Sequence, residues 1–450
     1  MGHSTHGKQL SVAFVSLGCA KNLVDSERML AAIGQAGHIV ATPQERAQVI
    51  VVNTCGFIAE ACQESYEVIR QALAQKQTGP CRRVVVAGCL PQRYGRRLLN
   101  DLPGIDALVG PNSSRADLLW AVVGDSQTAA KISLARRITR LPKDTPRVRI
   151  TPASYTYLRI SEGCSQHCSF CTIPAIRGPY RSKSARTIIS EAKELLADGV
   201  VELNIIGQDT SSYGCDLPGT GGLGDLLRRL DKLPGLGWLR VLYAYPSSFS
   251  DDIIKAMTEA NHVVHYLDLP LQHINDRILQ RMGRRFSRAR TERLIERLFK
   301  AMPDLALRTT MIVGFPGETD SEFTELLDFA RQVRFHALGA FVFSPEPGTA
   351  AAAFSKQVPE NLKRQRLEAL MQLQQQIVAE RNSSLIGKQI NVLIERSVSH
   401  GRTVGRYYAQ APEVDGLCRI RSRQPITEGR IIPAVVSGYD GYDLLVKPAD

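Results

Sequence analysis

Cys164, Cys168 and Cys171 form a Cys-x-x-x-Cys-x-x-Cys run just past the strand-like stretch Tyr155–Ile160. Three thiolates at that spacing suit one loop wrapped round a cubane iron–sulfur cluster. An electron-transfer cluster normally has a fourth cysteine. Here the fourth iron has no ligand in the run, and an open iron can bind a substrate. The competing reading is a structural zinc knuckle. Structural zinc normally takes four protein ligands. His167, the one nearby candidate, lies inside the loop and is badly placed to complete a tetrahedron with its neighbours.

Three more cysteines share a different pattern. Val12 to Cys19, Val49 to Cys55 and Val84 to Cys89 are apolar runs that each end in cysteine. Near-continuous β-branched residues read as buried strands of the parallel kind. Helical patterns over Asp25–Ala36 and Ile58–Gln75 separate them, and alternation of this type implies a parallel sheet. Cys19, Cys55 and Cys89 would then meet at the carboxyl ends of its strands, where open α/β sheets bind ligands. The functional reading is a second cluster, again with three ligands. The bland reading is three buried thiols, which leaves their shared position at strand ends unexplained. Cys62, Cys81, Cys215 and Cys418 show no such placement and read as ordinary thiols.

Elements able to position these loops follow along the chain. Strand-like runs recur at Val201–Gly207, Trp238–Ala244, Val264–Leu271, Ala306–Gly314 and Ala337–Phe343, with helices such as Thr187–Asp198 and Ser321–Val333 between them. With Tyr155–Ile160 they make six β/α units, an incomplete β/α barrel whose active site would be built by loops at the carboxyl ends of the strands. Gly207-Gln208-Asp209 falls at one such end and Met311–Glu318 at another. A bridging helix is expected over Asn361–Asn382. Short strands then read at Gln389–Glu395, Gly416–Ile420, Arg430–Val436 and Asp443–Val446, the pattern of a small antiparallel barrel. The expected organisation is a parallel α/β domain over 9–125, a linker over 126–149, the β/α barrel over 150–380 and the small barrel over 383–450.

The chain has 450 residues, consistent with about three domains at a prior of roughly 150 residues each. No stretch of 18 apolar residues occurs, so no transmembrane helix is expected. Met1 to Lys8 is polar and lacks the apolar core of a signal peptide. His3 and His6 there read as tail residues rather than ligands. The expected setting is a reducing cytoplasm, where clustered cysteines mean metal or catalysis rather than disulfides. Net charge is +12, from 56 Lys+Arg against 44 Asp+Glu. It concentrates in Lys131–Arg149, which includes Arg136, Arg137, Arg140, Lys143 and Arg147, and in Arg277–Lys300. Each stretch is either a solvated face or a contact with phosphate. From Ser383 onward there are nine basic and seven acidic residues, a poor electrostatic footprint for nucleic acid.

The three-cysteine loop with an aromatic before its last cysteine, Phe170, resembles the radical S-adenosylmethionine superfamily. Gly18-Cys-Ala-Lys-Asn-Leu-Val-Asp-Ser-Glu27, Asn53-Thr-Cys-Gly-Phe57 and Gly88-Cys-Leu90 resemble the signature blocks of its methylthiotransferase family over nearly the whole chain. Ala20 stands where many members carry proline, at a position that is not a ligand. The resemblance implies two 4Fe–4S clusters, a radical cluster on Cys164, Cys168 and Cys171 and an auxiliary one on Cys19, Cys55 and Cys89. It also implies S-adenosylmethionine as cosubstrate, contacted by Gly207-Gln208-Asp209 with Phe170 in the cluster loop beside it, and a C-terminal TRAM domain, an OB-like recognition module; Arg308 is a further candidate to reach the cosubstrate. The implied reaction is reductive cleavage of S-adenosylmethionine, hydrogen removal from an unactivated carbon, sulfur transfer from the auxiliary site and methylation by a second S-adenosylmethionine. The cofactors carry that chemistry, so no catalytic acid/base side chain is assigned.

Members of the family divide by substrate. Cys19–Glu27, Tyr243–Ser248, Asp268–Arg277 and Gly401–Gly416 are similar to the branch that modifies an aspartate β-carbon on protein twelve of the small ribosomal subunit, free or in the assembled subunit. The nearly neutral last domain fits a protein substrate and is expected to be a separable module, whose removal would spare cleavage of S-adenosylmethionine. A low-potential electron donor such as flavodoxin and a sulfur donor are the other implied partners. The alternatives are a transfer-RNA adenosine methylthiotransferase and, in another class, a non-enzymatic iron–sulfur or zinc protein that binds RNA.

Overall fold

Five short parallel strands build the first sheet: β1 (Val12–Ser16), β2 (Val49–Thr54), β3 (Arg83–Gly88), β4 (Ala107–Val109) and β5 (Lys131–Ser133), in that spatial order. The computed structural model describes residues 9–124, 130–134, 141–219, 221–398, 402–422 and 424–449. His3, His6, Arg136, Arg137 and Arg140 lie outside them. β2 and β3 are buried along their whole length because both faces of the sheet are covered. Val49, Val51 and Val85 pack with Met29 and Ile33 of helix α1 (Ala20–Gln35). Ile50, Val52, Val84 and Val86 pack with Ile69 and Ala72 of helix α2 (Ala59–Thr78). The three strands legible in the sequence are present. β4 and β5 are three residues each and too short to carry a periodic signal. β5 falls inside the stretch read as a linker.

α1 begins at Ala20, five residues earlier than the polar pattern suggested. Lys21, Asn22, Asp25, Ser26 and Glu27 are all buried on it. Sequence patterning assigns such residues to loops or to water. Here they have tertiary partners. Asn22 Nδ2 donates to the Leu17 and Thr54 carbonyls (2.5 and 3.3 Å), and Asn53 Nδ2 donates to Ser26 Oγ (2.8 Å). The Glu27 carboxylate accepts from the Ile150 amide at 2.9 Å and pairs with Arg147 at 3.3 Å.

The chain divides into two compact units. The first takes residues up to Ile150 together with Glu162–Ser165 and Cys171–Tyr180. The second takes Thr151–Ser161, Gln166–Phe170 and the chain from Arg181 onward.

In the second unit six strands form one all-parallel sheet in sequence order. Tyr155–Arg159 lies at one edge, followed by Glu202–Ile206, Trp238–Val241, Val263–Asp268, Ala306–Val313 and, at the other edge, Ala337–Val342. This is the incomplete β/α barrel expected from the six repeats. The bridging helix runs Glu360–Leu385, and then five strands close a barrel: Gln389–Val398, Arg402–Tyr407, Cys418–Arg421, Asp443–Pro448 and Ile431–Asp440. All its pairs are antiparallel except Cys418–Arg421 with Asp443–Pro448. Arg402–Tyr407 is the strand the sequence did not reveal. Its arginines interrupt the apolar alternation, yet Arg406 is fully buried.

That arginine joins the two barrels. Its guanidinium is shared between Glu395 of the small barrel and Glu202 of the large sheet, and Glu202 also takes Arg240 Nε at 2.8 Å. Nearby, Tyr155 and Tyr157 donate to Glu413 (3.2 and 3.0 Å), and Tyr266 donates to Asp415 (2.7 Å). Arg240 stacks on Tyr266 at 4.5 Å. Removing one partner from buried ions like these leaves an uncompensated charge. Buried ion pairs therefore tie the small barrel to the large sheet, which bears against the expectation that it is separable.

Candidate active site: two cysteine triads

Cys55 and Cys89 each follow directly on the last residue of a strand, and Cys19 caps α1 with extended backbone (φ −89°, ψ 170°). A thiolate at the N-terminus of that 16-residue helix is favoured by the helix dipole. Glycines let the three backbones approach. A Cβ on Gly18 would stand 2.9 Å from Cys55 Cβ, and one on Gly56 2.8 Å from Leu90 Cα. A Cβ on Gly88 would stand 2.3 Å from Asn53 Oδ1 and 2.6 Å from the Thr54 carbonyl oxygen. Gly88 also has φ +94°, a conformation costly for any other residue.

Gly88→Ala is therefore expected to destabilise the first unit by more than the strain alone, which is about 1–3 kcal/mol. Gly37→Ala is the control, because Gly37 has φ +90° and open space around it. Denaturant titration should rank Gly88→Ala well below Gly37→Ala. Equal midpoints would mean that the strand ends have room to move.

The residue that sequence reasoning missed is Arg177. It ends the short helix Ile173–Arg177, which follows Cys171, and it is buried. Nη1 reaches Asp25 Oδ2 at 2.6 Å and Glu162 at 3.5 Å; Nη2 reaches Asn22 Oδ1 at 3.3 Å and the sulfur of Cys89 at 3.2 Å. Burial disfavours its charge, but Cys89, Glu162 and Asp25 outweigh that and hold it protonated. Burial pushes the Cys89 thiol up to about 12, against the pull of Arg177. The signal in the sequence was indirect: Asn22 and Asp25 lie one turn apart on a face with no apolar reason to be buried.

The radical-type loop is held both at its flanks and in its middle. At the flanks, Cys164 N donates to the Gly178 carbonyl (3.1 Å), Tyr180 N to Ser165 Oγ (3.1 Å) and Thr172 Oγ1 to the Phe57 carbonyl (3.5 Å). In the middle, Ser169 N donates to the Met282 carbonyl (2.9 Å), and Ser169 Oγ to that of Arg281 (2.8 Å). Phe170 packs edge-on against Phe315 with ring centroids 6.5 Å apart, so the Gly-Phe-Pro-Gly turn within Met311–Glu318 anchors the loop. Arg284 belongs to the basic stretch Arg277–Lys300, but its guanidinium lies on the rings of Tyr245 and Phe286 and comes within 3.7 Å of Cys168 Sγ.

Gly207-Gln208-Asp209 does sit at the carboxyl end of a strand. A Cβ on Gly207 would meet Ser161 Oγ at 2.3 Å. Asp209 is buried and accepts from Gln166 Nε2 of the cysteine loop at 3.1 Å, which ties that loop to the strand end. Gln208 is half-buried beside it. Arg308 lies elsewhere. It is the third residue of its strand, donates to Asp268 at 2.9 Å and lies 3.4 Å from Asp415 of the small barrel. Cys62, Cys81 and Cys418 are buried, and Cys215 is exposed.

Both triads offer the donors a cubane needs: three thiols on glycine-cradled backbone, with a guanidinium within reach of one sulfur of each. Among the described residues no three His, Cys, Asp or Glu side chains converge on one ion. Cubane thiolates sit on three different irons.

Three family models match successive parts of the chain. Residues 158–330 match the radical SAM superfamily, 11–110 the uncharacterized protein family UPF0004 and 386–448 the TRAM domain. Among solved structures, the radical S-adenosylmethionine methyltransferase TsrM of Kitasatospora setae superposes with a TM-score of 0.54 over 87% of this chain and 79% of that one, at 16% identity. The cobalamin-dependent radical enzyme OxsB gives 0.52 over 81% and 56%, at 12% identity. These two are likenesses of fold. The protein is a radical S-adenosylmethionine enzyme.

Similarity to curated proteins narrows the class. The ribosomal protein uS12 methylthiotransferase RimO of Syntrophomonas wolfei is 40% identical over 437 residues, 97% of this chain and 99% of that protein. RimO of Pelotomaculum thermopropionicum is 42% identical over 438 residues, 97% and 98% of the two chains. The chain belongs to the RimO family of methylthiotransferases. Among the described residues no helix is long and apolar enough to cross a membrane.

Proposed function

We propose that this protein methylthiolates the β-carbon of an aspartate on ribosomal protein uS12. The observation that carries the reading is about 40% identity across nearly the full length of relatives named for uS12 methylthiotransfer. Cys164, Cys168 and Cys171 would hold a radical 4Fe–4S cluster, and Cys19, Cys55 and Cys89 an auxiliary one. When bound, these groups supply the electron that opens S-adenosylmethionine to a radical and the sulfur that is transferred. The chain's own residues orient and enclose. Asp209 and Gln166 pin the cysteine loop to the strand end, Phe170 anchors it in an aromatic cluster, and Gln208 and Asp209 would help hold S-adenosylmethionine. Arg308, committed to Asp268 and Asp415, serves the junction with the small barrel. A low-potential reductant such as flavodoxin and a sulfur donor complete the cytoplasmic system.

The anaerobically reconstituted chain is expected to hold about eight irons, and the Cys164→Ala, Cys168→Ala, Cys171→Ala variant about four. Iron analysis decides: a variant without iron, or an intact protein that never exceeds four, removes the second cluster. The substrate is tested by mass analysis of uS12 and of digested transfer RNA from cells with and without the gene. A methylthio group missing from the RNA instead of from uS12 would overturn the assignment.

A further inference from the structure

We infer that Arg177 tunes the auxiliary site, acting as a positioning residue whose guanidinium hydrogen-bonds the Cys89 sulfur and raises the reduction potential of a cluster held there. The inference rests on the second-cluster reading above.

The guanidinium is divided between two tasks. Its Nη1 is turned to carboxylates, at 2.6 Å from Asp25 and 3.5 Å from Glu162. Its Nη2 is turned to Asn22 and to the Cys89 sulfur, the latter at 3.2 Å. Arginine's planar fork allows this and lysine's single ammonium does not. A purely structural role would need only the carboxylates. The nitrogen spent on a ligand sulfur is the part that role does not explain.

Arg177, Asp25, Asn22 and Cys89 are all buried, so water screens this contact little. Hydrogen bonds to ligand sulfurs and local net charge are what set cluster potentials, and such outer partners also orient the ligands. A cation on the sulfur favours the more negative, reduced state. Asp25 and Asn22 hold the fork in register. Arg177 sits six residues after Cys171, so one short segment carries a ligand of the radical loop and the hydrogen-bond donor of the other triad.

The test uses the full chain with Cys164, Cys168 and Cys171 replaced by alanine, so that any iron bound belongs to the auxiliary site. Arg177→Gln and Arg177→Lys are made in this background and reconstituted anaerobically with ferrous iron and sulfide. Midpoints are read by absorbance and electron paramagnetic resonance during reductive titration. Arg177→Gln should shift the one-electron equilibrium at least tenfold towards the oxidised state, about 59 mV lower. Arg177→Lys, which keeps the charge that Asp25 and Glu162 require, should fall between. If the glutamine variant loses its iron, the lysine variant alone is read. Midpoints unchanged in every variant that holds iron overturn the inference. So does loss of iron from both variants, which would assign Arg177 to closing the site. Absence of iron from the parent background would instead remove the second-cluster reading itself.

Discussion

A chain carrying Cys19→Ala, Cys55→Ala and Cys89→Ala will still cleave S-adenosylmethionine to 5′-deoxyadenosine and will form no methylthiolated uS12. The physical reason is that the radical-type loop has anchors of its own. The loop's flanks are pinned by backbone and hydroxyl contacts at Gly178, Ser165 and Phe57. Its middle is pinned by the Met282 and Arg281 carbonyls and by Phe315. Alanine at position 89 takes one partner from Arg177 but leaves Asp25, Asn22 and Glu162 in place, so the segment that follows Cys171 keeps its anchor. The lost packing is one sulfur atom per site, less than the truncation of a large aliphatic side chain. Product analysis by liquid chromatography and mass spectrometry separates the two outcomes. Methylthiolated uS12 at the normal rate would make the three cysteines buried thiols and nothing more; loss of both products would mean that the two triads cannot be uncoupled.

Arg406→Ala should destabilise the second unit by about 3–5 kcal/mol, the usual cost of removing one partner from a buried ionic group. It leaves Glu202 without its cross-barrel cation and Glu395 buried without one. The pH dependence gives the result a signature. Burial raises the Glu202 carboxyl, but Arg406 and Arg240 outweigh it and hold it below the ordinary glutamate value of 4.5. A carboxylate depressed in the folded state contributes stability above its unfolded pKa and loses it as pH falls through the folded one. The gap between wild type and Arg406→Ala should therefore narrow below about pH 4.5. Deleting Ser383–Asp450 should, by the same logic, cost S-adenosylmethionine cleavage along with substrate recognition. Full cleavage by the truncated chain, or a destabilisation under about 1 kcal/mol at neutral pH, would show that the small barrel is an appendage after all.

The neutral balance of the small barrel also looks different in three dimensions. Arg406 and Glu395 count in its charge but are spent on each other and on Glu202, so they present nothing to a substrate. The basic stretch Arg277–Lys300 is likewise less of a surface than its composition implied. Arg277 pairs with Glu322, Arg288 with Glu292, and Arg284 turns inward beside Cys168.

What the linear chain determined by itself was local and periodic. Cys164, Cys168 and Cys171 were singled out by their spacing, and Cys19, Cys55 and Cys89 by the apolar runs that end on them. Six β/α repeats and a run of short turn-bounded strands gave both barrels, because hydrophobic period survives in sequence. Other features existed only once distant segments met. The helical start at Ala20 depends on Asn53 and on Arg177 accepting the polar residues that make Lys21–Glu27 look like a loop. Burial of Arg406 depends on a glutamate 204 residues away. Arg177 could not be singled out from its neighbours, since a guanidinium shared among Asp25, Asn22 and Cys89 leaves no periodic trace. Apolar pattern records which face a residue turns to the core. It does not record which buried charge will find its partner, because that is decided by desolvation, and desolvation happens only when the fold closes.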